Sequence, residues 1–173
     1  LEMWEPHQTS AFFSAAFLGI YVHIFHTLDY AVMFLRTVGV LTQLLISIFC
    51  YCTFRRITSE NTAFVVSVLY YNIIPKNSTV PDFSNMLLWF SMLVFLCLLH
   101  FFLAENNEMP GKYFWLIMSG VSASALVLSY PTCLFVVLPV SIGICCVSNL
   151  KNRWRNLICY LFTCAFCGIG WLS

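Results

Sequence analysis

Long apolar stretches separated by short polar ones set the pattern of this chain. A helix that crosses a bilayer needs about 20 predominantly apolar residues, with roughly 17–25 tolerated. Residues 33–54 meet that requirement and end at Arg55-Arg56, and residues 84–104 form a second clear span. Residues 113–129 and 132–148 are two more, separated at Ser129-Tyr130-Pro131-Thr132. Pro131 disfavours helical backbone at Tyr130, which places the break there. Residues 156–172 form the last span and 60–75 a shorter one, so the pattern predicts about six crossings. Residues 10–28 are apolar but carry His23 and His26 and run into Asp29-Tyr30. They read as an amphipathic helix lying in the membrane interface, with a seventh crossing as the alternative. The expected fold is all-α and polytopic. Residues 1–9 form an outer loop, and 1–173 make a single transmembrane domain.

Composition strengthens this reading. Of 173 residues, 61% are hydrophobic and only 9% charged, and the mean hydropathy is +0.86. A soluble domain is about half apolar and a quarter charged, so a solvated globule could not cover this much apolar surface. A net charge of +1 gives no reason to expect nucleic acid as a partner. The expected partner is the lipid bilayer. No repeat, low-complexity segment or long linker divides the chain. It opens at Leu1 without an initiator Met or a signal-peptide pattern, and both ends are expected to be cuts in a longer polypeptide. The basic residues near span ends give an orientation. With the loop after 33–54 inside, the cytoplasmic side holds Arg55, Arg56, Lys112, Lys151, Arg153 and Arg155, and the other side Lys76, with Arg36 close by in a span. The N-terminal segment and the 76–83 loop then face outward.

Few residues suggest chemistry. The nine cysteines lie in or at the edge of apolar runs, where they behave as small hydrophobes rather than metal or disulfide pairs. His23 and His26 share one helical face and could bind metal, although polar residues at headgroup level account for them as well. The 104–112 segment, AENNEMPGK, reads as a hairpin turn with solvated charges, and Asn77-Ser78-Thr79 fits a glycosylation acceptor. No phosphate-binding glycine loop, His-Glu-x-x-His or nucleophile elbow is present. Two polar clusters remain, both on the outer face. One is Glu2-Met3-Trp4-Glu5-Pro6-His7-Gln8-Thr9-Ser10, the other Pro81-Asp82-Phe83-Ser84-Asn85. Each has a plain reading as a loop with a helix cap, Asp82 being well placed against a helix dipole. Together they make an acidic rim able to hold a cation, a hydroxyl-bearing acceptor or a metal-bridged phosphate.

The order of these features resembles the N-terminal half of GT-C type membrane glycosyltransferases, in particular the bacterial protein-mannosyltransferase and aminoarabinose-transferase group. Trp4-Glu5-Pro6-His7 stands where that group has an acidic loop before a juxtamembrane helix. Arg36, Arg55-Arg56, Asp82 and the stretch from Gly120 to Leu128-Ser129-Tyr130-Pro131 follow in the group's order. The likeness covers roughly residues 2–172 and rests on order and spacing. It implies transfer of a sugar from a polyprenyl-phosphate donor to a lipid, glycan or protein hydroxyl on the outer face of a bacterial plasma membrane. Inversion at the anomeric carbon needs a carboxylate base opposite the leaving phosphate. The resemblance places the principal base upstream of Leu1. Glu5 and Asp82 become the catalytic candidates here, with His7, Gln8, Arg36 and Asn85 binding substrate. A divalent metal ion is the cofactor such a rim would take. Arg36 would meet phosphate, with an ion pair to Asp29 as the structural alternative. Glu5-Pro6-His7-Gln8 departs from the group's common Asp-His-Pro-Pro, which leaves the role of His7 open. The rival readings are a transporter or flippase subunit and a non-catalytic membrane protein. Charges that avoid mid-span positions and gather at one rim favour interface chemistry.

Overall fold

The computed structural model describes residues 11–75, 78–107, 111–148 and 152–172. Glu5, His7 and Gln8 therefore lie outside the described residues. Seven α-helices make up nearly all of the rest, and no strand occurs among the described residues. They are α1 (Ala11–Phe25), α2 (Ala31–Phe54), α3 (Glu60–Tyr71), α4 (Phe83–Asn106), α5 (Lys112–Ser129), α6 (Leu134–Val147) and α7 (Arg153–Leu172), with a 3-10 turn at Pro131–Cys133 before α6. The chain forms two compact units, Leu1–Trp89 and Phe90–Ser173.

Among the described residues three helices, not six, are long and apolar enough to cross a membrane: α2, α4 and α5. At a rise of about 1.5 Å per residue, α2 and α4 reach about 36 Å against a hydrocarbon core of about 30 Å. The 60–75 stretch falls short because α3 stops at Tyr71. The Asn72 side chain closes it by donating to the Val68 carbonyl at 2.7 Å, and Pro75 follows. In the 132–148 stretch the first turn is the 3-10 turn, so α6 keeps 14 residues, with Pro139 inside. α7 opens on Arg153-Trp154-Arg155-Asn156, so its apolar part begins only at Leu157.

The expectation of an amphipathic helix over 10–28 also needs correcting. α1 has 15 residues, about 22 Å and too short to span alone. Its apolar residues occupy all sides, and Ile20, Ile24 and Phe25 are exposed. His26 lies beyond the helix end with φ 53°, so it shares no helical face with His23. Both histidines are exposed.

The helices bury small and polar residues among apolar ones and turn large apolar side chains outward. On α2 the buried residues are Gly39, Gln43, Ile46, Ser47, Cys50 and Thr53, while Leu41, Leu44, Leu45 and Ile48 are exposed. On α3, Ala63, Ser67 and Tyr70 are buried and Phe64, Val65, Val68 and Leu69 exposed. On α5 the buried face is Leu116, Ser119, Gly120, Ser122, Ala123, Ser124, Leu126 and Ser129. α7 presents Ile158, Phe162, Phe166 and Ile169 outward. Water would penalise such a surface, whereas lipid does not distinguish it from its own tails. Small buried residues let the backbones approach, and buried serine hydroxyls bond backbone carbonyls of the neighbouring helix: Ser47 donates to Ser67 at 2.8 Å and Ser124 to Cys164 at 2.9 Å. This is the construction of a membrane-embedded helical protein.

In the first unit α3 returns antiparallel along α2. Tyr51 donates to Glu60 at 2.8 Å, Ser47 meets Ser67, and Gln43 reaches the Tyr70 carbonyl at 2.9 Å and that of Ile73 at 3.3 Å. Further along, the Thr79 hydroxyl donates to the Arg36 carbonyl at 3.4 Å. Residues after α3 thus carry the chain on to the end of α2 opposite Arg55-Arg56. In the second unit Val94, Phe101, Leu116, Ala123, Ile144 and Tyr160 form the core. Gly120 lets α7 come close, since a Cβ there would press on the Thr163 side chain at 2.9 Å.

Candidate functional site

The predicted outer rim is the Arg36 end of the first unit. The loop 78–82 packs against α2 where Gly39 leaves room: any Cβ on Gly39 would overlap the Thr79 carbonyl. Ser14 of α1 donates to the Pro81 carbonyl. Arg36 and Asp82, far apart in sequence, are brought to one end of α2 by these contacts.

Asp82 is a helix cap by geometry. Its Oδ1 accepts from the Asn85 N–H at 2.8 Å, and its carbonyl accepts from Met86 N–H at 2.9 Å to start α4. The side chain is half-buried, so the carboxylate is oriented but still within reach of solvent. Asn85 is only 3% exposed. Its amide nitrogen donates to the Ser78 carbonyl at 2.8 Å and to that of Val80 at 2.7 Å. The amide hydrogens are thereby committed to the loop that carries Asp82, and the residue acts as a lock on that loop. The Arg36 side chain is exposed. It makes no ion pair with Asp29 among the described residues. Asp29 instead takes part in the α1–α2 turn, its N–H donating to Thr27 Oγ1 at 2.8 Å and its carbonyl accepting from the Tyr21 hydroxyl.

No family model, curated protein or solved structure matches this chain.

The sequence reading missed two polar groupings. One supports the rim from below. Trp89 Nε1 donates to Gln43 Oε1 at 2.5 Å, and with its two backbone bonds the Gln43 amide joins α2, α3 and the start of α4. The other is in the second unit. Glu105 was expected in a solvated hairpin, but α4 continues to Asn106 and the residue is 4% exposed. Its Oε1 accepts from Asn156 Nδ2 at 2.9 Å and pairs with Lys112 Nζ at 3.6 Å. Asn156, fully buried, also donates to Ser148 Oγ at 3.1 Å. The signal was spacing: Cys97, Phe101 and Glu105 recur every four residues, and the first two are buried. A charge continuing an apolar stripe is placed inside.

The described residues hold no group of three or more His, Cys, Asp or Glu side chains able to bind a metal together. The nine cysteines are free thiols. Cys50 fills space completely buried between α2 and its neighbours.

Proposed function

We propose that this chain carries the acceptor-side rim of a GT-C type membrane glycosyltransferase that uses a polyprenyl-phosphate sugar donor. The observation that supports it most is the placement of residues 72–75 and 78–82 along α2. That placement sets Asp82 and Arg36 at one end and the Arg55-Arg56 pair at the other. Arg36 and Arg55 are separated by about 28 Å along the helix axis, close to the thickness of the hydrocarbon core. On this reading the Arg36–Asp82 end is the outer face.

The chemistry follows from charge. As the acceptor hydroxyl attacks the anomeric carbon, its proton must leave and negative charge grows on the departing polyprenyl phosphate. Asp82, aimed by the Asn85 N–H, can hold the acceptor hydroxyl or a metal ion. Arg36 can neutralise the phosphate. Glu5, His7 and Gln8 precede α1, whose Ser14 touches the same loop, and belong to the same rim in this reading.

Two substitutions in the full-length protein test it. Asp82→Asn removes the charge and keeps a side chain that caps equally well. Arg36→Gln removes the cation from an exposed position. Each is expected to lower sugar transfer by roughly tenfold or more while membrane insertion and thermal midpoint stay unchanged. Undiminished transfer in both variants would take these residues out of the mechanism.

A further inference from the structure

In the second unit, the last turn of α4 and the first turns of α5 and α7 bring together three cations, two exposed rings and one buried acid. We propose that the first turns of α5 and α7 dock the headgroup of an anionic phospholipid.

Charge is the first argument. Lys112, Arg153 and Arg155 meet at this end, and Glu105 is the single carboxylate among the described residues of the unit. Glu105 is consumed internally by Asn156 and Lys112. Among the described residues neither guanidinium meets a carboxylate: Arg155 Nη2 donates to the neutral Asn152 Oδ1 at 3.0 Å, and Arg153 Nε is enclosed without an acceptor. The described residues of the cluster therefore keep a positive surplus.

Its geometry is fixed. The Tyr113 ring is approached by Lys112 Nζ at 5.4 Å and by the Arg155 guanidinium carbon at 5.3 Å. These cation–π contacts hold cations from two helices about one ring. Arg155 itself is exposed and free to meet a phosphate oxygen.

The rings identify the source of the anion. Trp154 is 69% exposed and Phe114 56% exposed, each next in sequence to a residue of the cluster. Large rings beside cations, at the ends of apolar helices, sit at headgroup level in a bilayer. A soluble phosphate would use the cations and leave the rings bare. A phospholipid uses both, its phosphate on Arg155 and its glycerol and upper chains against Trp154 and Phe114.

The full chain in a zwitterionic detergent is titrated separately with short-chain phosphatidylglycerol, short-chain phosphatidylcholine and inorganic phosphate, binding being read from tryptophan fluorescence and thermal midpoint. Phosphatidylglycerol is expected to bind with saturation and to raise the midpoint, with the other two far weaker. Arg155→Gln should weaken phosphatidylglycerol binding about fivefold, the equivalent of one basic residue's attraction to an anionic surface. Arg155→Lys should retain most of it, and Arg56→Gln, an exposed arginine of the first unit, should change nothing. Equal binding of phosphatidylcholine overturns the proposal, as does phosphate binding as tightly as the lipid, which would make this a free-anion site. Equal losses in Arg155→Gln and Arg56→Gln overturn it too, since they indicate unspecific charge attraction.

Discussion

Asp82 shows how one side chain serves structure without losing its chemistry. As a cap it satisfies the Asn85 N–H, one of the donors left over at a helix start. Asp82→Ala should therefore cost about 1 kcal/mol of stability, and Asp82→Asn close to nothing. Thermal unfolding in detergent checks both, and equal losses in the two variants would show that charge, not capping, is what α4 needs there. The cap was legible in the sequence, because Pro81-Asp82-Phe83 precedes an apolar run. The role of Asn85 was not. Its partners are the Ser78 and Val80 carbonyls, and no residue type or spacing announces that a loop will fold back to present them. Glu105 was misread for a different reason: its position relative to Phe101 carried the answer, but a charge beside Asn106-Asn107 looks like loop.

Among the elements, the three helices able to span were read nearly to the residue: 33–54, 84–104 and 113–129 became Ala31–Phe54, Phe83–Asn106 and Lys112–Ser129. Continuous apolar sequence is an unambiguous signal at that length. The stretches 10–28, 60–75 and 132–148 were overextended because hydropathy counts residues and not helical turns. Ile73, Ile74 and Pro75 are apolar yet lie beyond the α3 cap. The amphipathic character assigned to α1 rested on two histidines, and His26 is not in the helix. Close packing makes its own test at Gly39, where loop 78–82 crosses α2. Gly39→Ala should cost about 1–3 kcal/mol by forcing the Thr79 backbone away, despite the better helix propensity of alanine. Gly19→Ala on α1, with nothing within 4 Å, should be neutral or stabilising. If both alanines were tolerated equally in thermal unfolding, the loop would not sit on α2 as described.

At the level of the whole molecule, large apolar side chains turned outward and serines, Gln43 and Asn156 buried among the helices make the case for a membrane setting more fully than helix length does. The composition indicated that setting from the start. What composition could not indicate is how the chain gets from Arg56 to Asp82. α3 alone is too short to cross, yet with the residues after it the chain travels the length of α2, held by the Ser47–Ser67, Gln43–Tyr70 and Arg36–Thr79 contacts. The account of the rim depends on that path. If α3 turned back within one leaflet, Asp82 would share a side with Arg55-Arg56, and no outer-face donor could reach it. The most direct measurement places a cysteine at each end of the first unit, Thr58→Cys and Ser78→Cys, in a chain whose native cysteines are replaced. Intact cells are then treated with a membrane-impermeant maleimide. The account predicts labelling of position 78 in intact cells and of position 58 only after permeabilisation. Labelling of both positions from the same side would contradict it.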